Sequence, residues 1–374
     1  MQYRVLDPTN SVLRVSVIPP WPGFQNDALF QSRRLDHSSH SPNVHWMDCF
    51  AEVYNKGREL NVQFGTDDVI SRNDADVLIY MAYPSSPRDV IAHKLKHPSQ
   101  KSILVMWETS LGARYTANPR NHGGYDAVFT YVDRLIDGKR YFFLPPRAFY
   151  RQRMTVGIPF EQRRLGCLVG TNRRFRYRSG LVTLCKGWKF SVKDWIDYVF
   201  CPGELIRFRA KFGRLCANFD RGLFDILGEG WEIFPDTRRV CRGIPEESTL
   251  RYVGNYRYYF AFENHTSACG LISERIWDAL WGDSVPVYLG HTGLSSFIPQ
   301  DCYVDATEFN SPKDLLNWLY QLPRDKWQRY REAGREFICS SAVDRFLPEA
   351  FAKEFVDRVV AIASQGCDRY GISA

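Results

Sequence analysis

The segment Tyr256–Gly290, YRYYFAFENHTSACGLISERIWDALWGDSVPVYLG, predicts a strand, a loop, a helix and a second strand. Tyr258–Phe262 is an aromatic-rich run typical of a buried strand. The helix is predicted to begin after Ser273, which suits an N-cap, and to end at Gly282. Val285–Leu289 follows as the second strand. Strands joined in this way are normally parallel, and ligands bind beyond their carboxyl ends, beside the helix N-terminus.

Polar side chains cluster at that predicted edge of the sheet. Glu263 and Asn264 directly follow the first strand, while Glu274 and Arg275 begin the helix. The helix N-terminus adds a partial positive charge that favours anions. Taken alone, these residues predict a phosphate or nucleotide site.

Three motifs of the segment resemble the alpha-1,3/1,4-fucosyltransferases, as a divergent member of that family. The family's strand ending in FEN corresponds to Phe262–Asn264, and its VPV strand to Val285–Val287. Its helix start, Y-[IV]-T-E-K, corresponds to Leu271–Arg275. Leu271 replaces the usual tyrosine, and Arg275 replaces the usual lysine.

The resemblance implies roles for the residues that match these motifs. Glu274 would accept hydrogen bonds from ribose or sugar hydroxyls, and Arg275 would neutralise the diphosphate of the donor. Arginine suits this role because its charge persists and its planar fork can hold two phosphate oxygens. The implied donor is GDP-fucose, and no cofactor is expected.

A second donor-binding segment is expected after the first strand of the C-terminal half. Relatives carry S-N there and then an arginine that opens a helix, and Thr171 and Asn172 match the start. Arg178 and Arg209 compete for the arginine position, and Arg209 is preferred because it opens a helical stretch. The predicted donor-binding residues are Asn172, Arg178, Arg209, Glu263, Asn264, Ser273, Glu274 and Arg275.

Glu108 is the candidate catalytic residue. It follows the apolar run Ile103–Trp107, where α/β enzymes commonly place catalytic groups. The related enzymes carry an E-S-P-like motif in this place, so the resemblance implies that Glu108 is the general base of an inverting transfer. The alternative is a strand-end glutamate that caps the chain or forms a surface pair.

Composition narrows the class of protein. The 374 residues are 44% hydrophobic and 15% aromatic, which is enough for two cores. A formal net charge of +7 suits phosphate-bearing ligands, but no nucleic-acid-reading module accompanies it. The ten cysteines are scattered singly, without a C-x-x-C pair or a zinc-site spacing.

No apolar stretch reaches the roughly twenty residues of a membrane span. We therefore expect a cytoplasmic protein, like the soluble bacterial relatives, with peripheral association to a membrane as the alternative.

Three patterns resemble functional motifs but are interpreted as structural. Asp74–Asp76 spells the D-x-D of manganese sites, yet it precedes its strand. Gly228–Trp231 is glycine-rich but lacks a full G-x-G-x-x-G, so a turn is predicted. His265 and His291 border the donor loop, where either could contact phosphate or acceptor. A single histidine in a loop more often faces solvent, and His265 is expected to do so. A metal requirement is not predicted.

Short β-type runs alternate with helical or turn-rich segments in both halves of the chain, which predicts open, mostly parallel sheets. These runs are Val12–Val17, Asn61–Phe64, Val77–Met81, Ser102–Trp107, Asp126–Tyr131, Gly166–Gly170, Leu223–Leu227, Tyr258–Phe262, Val285–Leu289 and Cys302–Asp305. The resemblance implies the GT-B fold, in which two Rossmann-like domains face each other across a cleft.

The predicted domains are an acceptor-side domain (1–150), a nucleotide-sugar domain (160–340) and a C-terminal helix (343–374) that packs across both. Leu144–Gln162 is the candidate linker, and the C-terminal helix is expected to break near Pro348. The predicted function is transfer of fucose from GDP-fucose to a hydroxyl of a glycan acceptor, with inversion. Two alternatives remain: an exostosin-like GT-B enzyme with another nucleotide sugar, and a non-catalytic glycan-binding protein.

Overall fold

The computed structural model describes ten stretches of the chain, and these divide into two compact units. The first unit holds the described residues up to 149 and those from Leu347 onward, and the second holds those from 150 to Phe346. Each unit contains one parallel sheet. The described residues are 12–20, 22–31, 49–81, 87–106, 118–144, 158–172, 203–219, 222–243, 252–266 and 272–365.

The helices of both units are numbered along the chain. They are α1 (Cys49–Glu59), α2 (Pro87–Lys96), α3 (Ile206–Phe219), the single turn α4 (Pro235–Arg238), α5 (Glu274–Trp281), α6 (Pro312–Gln321), α7 (Arg324–Cys339) and α8 (Pro348–Ser364). Helices α1, α2 and α8 belong to the first unit, and the others to the second.

The sheet of the first unit is parallel throughout. Its strands are β1 (Leu13–Ile18), β2 (Val62–Thr66), β3 (Val77–Met81), β4 (Lys101–Val105), β5 (Ala127–Thr130) and β6 (Tyr141–Phe143). Their spatial order is β2-β1-β3-β4-β5-β6. Every residue of β3 is buried, as expected for a strand covered on both faces.

Helices α1 and α8 pack against one face of this sheet through an aromatic core. The ring of Phe355 in α8 lies 5.8 Å from Phe50 of α1 and 5.4 Å from Phe129 of β5, centroid to centroid. Both contacts are edge-to-face, the geometry that the aromatic quadrupole favours. The end of the chain thus completes the core of the first unit.

The sheet of the second unit is also parallel. Its strands are β7 (Arg164–Val169), β8 (Phe224–Leu227), β9 (Tyr256–Phe262), β10 (Val285–Leu289) and β11 (Val304–Asp305), in the spatial order β11-β10-β9-β7-β8. Helix α3 covers β9 through Phe212, whose ring centroid lies 4.7 Å from Phe260 and 4.9 Å from Phe262.

The β9-α5-β10 unit has the form that the sequence predicts. Ser273 is the N-cap of α5, and its hydroxyl accepts a hydrogen bond from the backbone N–H of Arg275 at 3.4 Å. Gly282 is the C-cap. Phe262 pairs with Leu289 in the parallel ladder, so the residues that follow the two strands are neighbours.

A buried carboxylate fixes the turn that leads from α5 into β10. Asp283 has a positive φ of 63° and is fully buried. Its Oδ2 lies 2.8 Å from Nη2 of Arg163, and Arg331 of α7 binds both carboxylate oxygens, at 2.8 and 2.9 Å. Arg335 donates to Oδ1 at 2.7 Å. One carboxylate therefore ties the start of β7 and helix α7 to the start of β10.

All the predicted strands are present, with ends that agree within two residues. Strand β6 was not predicted, because its three residues are too short to show a period. The predicted break near Pro348 is confirmed, since a 3₁₀ turn over Ser341–Phe346 precedes α8. The boundary between the units lies inside the predicted linker. Packing of the last helix across both domains stays a prediction. None of the described helices is both long and apolar enough to span a membrane.

Replacing Asp283 by asparagine should destabilise the second unit by about 3 kcal/mol or more, because the substitution leaves buried Arg163 without its carboxylate partner. Urea unfolding measures the change in free energy. The matched control is Asp357→Asn, whose half-exposed carboxylate pairs with Lys353 at 2.6 Å, and there we expect less than about 1 kcal/mol. Equal effects of the two substitutions would contradict this role of Asp283.

Candidate functional site

Polar side chains from three segments of the second unit lie at the carboxyl edge of its sheet. Asn172 follows β7, Glu263 and Asn264 follow β9, and Arg275 lies in the first turn of α5. Because the strands are all parallel, their carboxyl ends share one edge. The structure therefore brings together the predicted site residues that it describes, namely Asn172, Arg209, Glu263, Asn264, Ser273, Glu274 and Arg275.

Glu263 joins the end of β9 to the start of α5. Its side chain is buried, and Oε1 accepts a hydrogen bond from the backbone N–H of Ser273 at 2.8 Å. Oε2 lies 3.4 Å from Nη1 of Arg275, and the same Nη1 donates to the Ser273 hydroxyl at 2.8 Å. These contacts hold the Arg275 guanidinium against the helix start.

Arg275 lies among carboxylates. Besides Glu263, its Nη1 is 3.6 Å from Oε1 of Glu274, and Asp278 lies one helical turn further on. Burial by itself lowers the pKa of Arg275, but Glu274 and Glu263 more than offset this effect, so the pKa is raised and the guanidinium stays charged.

The carboxylates of this cluster are difficult to ionise together. Burial raises the pKa of Glu263, although Arg275 opposes the increase. Burial also raises the pKa of Asp278 well above its ordinary value, and the neighbouring Glu274 raises it further. Three carboxylates around one guanidinium leave an excess of negative charge, which favours uptake of a proton.

The loops after β7 and β8 are in close contact. The side-chain amide of Asn172 donates to the carbonyl of Gly230 at 3.1 Å. Gly228 has a φ of 123°, and a Cβ there would lie 2.5 Å from the carbonyl oxygen of Gly170. Gly228–Trp231 forms a turn, as predicted. This turn fixes the orientation of the Asn172 carboxamide.

Arg209 belongs to the first turn of α3, which is attached to the end of β9. The backbone N–H of Leu205 donates to the carbonyl of Asn264 at 3.0 Å. Nη1 of Arg209 lies 3.6 Å from the position that a Cβ on Gly170 would take, so its guanidinium is beside the end of β7. His265 is buried, and the expectation that it faces solvent was wrong.

Some buried polar atoms at this edge have no hydrogen-bond partner among the described residues. They include Oδ1 of Asn172, Oδ1 of Asn264 and Nε of Arg275. Buried polar atoms are normally paired, so unpaired ones indicate where a ligand completes the site. The two amide oxygens suit hydroxyl or N–H donors of a ligand, and the guanidinium suits an anionic acceptor.

Two predicted site residues, Glu108 and Arg178, lie outside the described residues, as does Leu271. The D-x-D pattern has a structural use, because Oδ2 of Asp76 accepts a hydrogen bond from the backbone N–H of Arg14 at 2.7 Å. Among the residues that the structure describes, no group of His, Cys, Asp and Glu side chains is arranged to hold a metal ion.

The part of the site formed by Glu263, Asn264, Glu274 and Arg275 lies in a segment with known relatives. Residues 234–334 match the model of the C-terminal part of glycosyltransferase family 10 (fucosyltransferase). The 4-galactosyl-N-acetylglucosaminide 3-alpha-L-fucosyltransferase FUT6 of Pongo pygmaeus is 33% identical over 114 residues. The predicted resemblance to the fucosyltransferases is confirmed. That match covers 28% of this chain and 32%, about a third, of the relative.

Solved structures extend the likeness over both units of this fucosyltransferase-like chain. An alpha1,3-fucosyltransferase crystallised with GDP is similar with a TM-score of 0.53 and 11% identity, covering 97% of this chain and 94% of that one. Anabaena HepE in complex with UDP-glucose is similar with a TM-score of 0.52 and 8% identity, covering 93% and 99%. At such low identity the likeness shows the fold, and the predicted α/β fold of the GT-B class is confirmed.

Two residues of the segment that resembles the fucosyltransferases were not predicted from the sequence to belong to the site. Asp278 follows Glu274 by one helical turn, and this spacing alone could have placed it on the same face. Gly290 lies beside Glu263, because a Cβ on Gly290 would be 2.5 Å from Cγ of Glu263. That contact depends on strand pairing, so no local signal could have shown it.

Asp278→Asn should stabilise the protein increasingly as the pH rises. Above the ordinary aspartate pKa of about 3.9, the unfolded chain releases this proton while the folded state, whose pKa is raised, still holds it. The folded state therefore loses stability with rising pH, and asparagine removes that loss. Urea unfolding at about pH 4 and pH 7 tests this sign. A difference between variant and wild type that does not grow with pH would contradict it.

Proposed function

We propose that this protein is an inverting glycosyltransferase that moves fucose from GDP-fucose to a hydroxyl of a glycan acceptor. The main support is that the segment matching the fucosyltransferases folds into β9-α5-β10, with Glu274 and Arg275 at the carboxyl edge of the sheet. This is the edge at which parallel α/β sheets bind ligands.

The charges at this edge suit a nucleotide sugar. Arg275 and Arg209 would bind the diphosphate, with help from the N-terminus of α5, because guanidinium groups and helix N-termini both favour phosphate. Glu274 would accept hydrogen bonds from ribose or sugar hydroxyls. The unpaired amide oxygens of Asn172 and Asn264 offer two further acceptors.

The reaction requires a base and a stabilised leaving group. As the acceptor hydroxyl attacks the anomeric carbon, the base takes its proton, and the bond from that carbon to the diphosphate breaks on the opposite face. The departing GDP gains negative charge, which the two arginines would stabilise. We assign the base to Glu108 because the fucosyltransferases carry an E-S-P-like motif there. In sequence, Glu108 follows the end of β4 by three residues.

A glycosyltransferase with a different donor is the second candidate. The observation that favours it is the likeness to Anabaena HepE, a structure with UDP-glucose, which has nearly the same TM-score as the alpha1,3-fucosyltransferase. Leu271 in place of the family tyrosine removes one ring contact that the resemblance implies for the donor. A non-catalytic glycan-binding protein would have no need for a diphosphate site.

Calorimetric titration with GDP and UDP, followed by transfer assays with the corresponding nucleotide sugars, tests the donor. We expect GDP to bind, and Arg275→Ala to weaken it by roughly 10–100-fold, as expected for loss of hydrogen bonds between charged groups. The control is Arg345→Ala, in the same unit, whose guanidinium stacks on Phe297 and Phe346. Binding of UDP without GDP would exclude fucose as the transferred sugar.

Glu108→Gln should reduce transfer by roughly 10²–10⁴-fold, because a general base contributes about that much. Affinity for GDP should remain unchanged, since the substitution removes only the proton acceptor. A rate of transfer within about threefold of wild type would show that the base is another residue. Measuring GDP affinity on the same preparation separates loss of the base from loss of the fold.

A further inference from the structure

We propose that Glu263 is a positioning residue for the donor diphosphate, which acts by holding one nitrogen of Arg275 and does not contact the donor itself. This revises the role predicted for Glu263 from the sequence, where it was grouped with the donor-binding residues. This role rests on the proposed function of the site. Arg275 would bind the diphosphate, and Glu263 would hold Arg275 in place.

Both carboxylate oxygens of Glu263 face the protein. The residue is 1% exposed, Oε1 accepts from the backbone N–H of Ser273 at 2.8 Å, and Oε2 pairs with Nη1 of Arg275 at 3.4 Å. A ligand at the edge of the sheet therefore meets Arg275 before it meets Glu263.

The contacts of Arg275 are divided between its nitrogens. Nη1 takes the inward contacts with Glu263 and with the hydroxyl of Ser273. Among the described residues, Nη2 and Nε make no hydrogen bond. Because Nη1 is held by Glu263 and Ser273, the other two nitrogens of Arg275 are available to bind an anion. Lysine has a single nitrogen and would have to serve both the anchor and the phosphate.

Gly290 provides the space that Glu263 occupies. A Cβ on Gly290 would lie 2.5 Å from Cγ of Glu263 and 2.6 Å from the hydroxyl of Tyr288. The backbone N–H of Glu263 also donates to the carbonyl of Leu289 at 2.8 Å. The end of β10 therefore fixes the position of the Glu263 carboxylate, and this carboxylate in turn fixes the position of the Arg275 guanidinium.

A carboxylate is required at position 263 because each of its two oxygens faces an N–H donor, the backbone of Ser273 and the guanidinium of Arg275. Glutamine has one acceptor oxygen, so its NH₂ would face either the Ser273 N–H or the guanidinium of Arg275. Burial raises the pKa of Glu263, so losing its charge is not expected to unfold the protein. Glu263→Gln should consequently move Arg275 while preserving the fold.

The test is a double-mutant cycle on GDP affinity, measured by calorimetry, with Glu263→Gln, Arg275→Lys and the double variant. We expect Glu263→Gln to weaken GDP binding about tenfold with Arg275 present, as loss of a charged hydrogen bond does. With lysine at position 275, we expect the same substitution to change the affinity less than about twofold, because lysine has no separate nitrogen that Glu263 could hold while another binds the phosphate. The control is Glu336→Gln, an exposed glutamate of α7, which should bind GDP as wild type does.

Equal losses with Arg275 and with lysine would overturn the proposal, since a general structural role of Glu263 does not depend on residue 275. If Glu263→Gln does not fold, Gly290→Ala takes its place in the cycle, because it displaces Glu263 without removing a charge. Wild-type affinity in Glu263→Gln, with GDP binding lost in Arg275→Ala, would leave the proposed function standing and remove this inference. Failure of wild type to bind either GDP or UDP would remove both.

Discussion

The parallel pairing of β9 with β10 is the constraint on which the candidate site depends. The register that opposes Phe262 and Leu289 sets Glu263 against Gly290, and α5 returns the chain between the two strands. A slip of one residue would turn these side chains to the other face of the sheet. Hydrophobic burial holds the register, because β9 is buried along nearly its whole length.

Buried charged clusters lie at both ends of α5, one with an excess of arginines and the other with an excess of carboxylates. Before β10, the single carboxylate of Asp283 meets three arginines. At the start of α5, the single guanidinium of Arg275 meets the carboxylates of Glu263 and Glu274. Buried ion pairs add little net stability but are costly to break, so both clusters restrict the geometry.

Much of the fold could be predicted from the sequence, because strand periodicity, helix caps and the proline and glycine positions that end elements are visible in neighbouring residues. Ser273 and Gly282 correctly marked the ends of α5, and Pro348 marked the break before the last helix. Strand β6 was not predicted, because three residues are too few to show a period. His265 was expected in solvent because of its loop position, whereas it pairs with Glu204 in a β-bridge and is buried.

The order of strands and helices along the chain, and the motif that carries Glu274 and Arg275, could be predicted from the sequence alone, because both depend on consecutive residues. The inward orientation of Glu263 and the position of Arg209 beside Gly170 became visible only in the folded chain. These facts depend on contacts between residues far apart in the chain. A local pattern fixes which side chains reach an edge of the sheet, but packing across strands fixes which of them faces the ligand and which supports its neighbour.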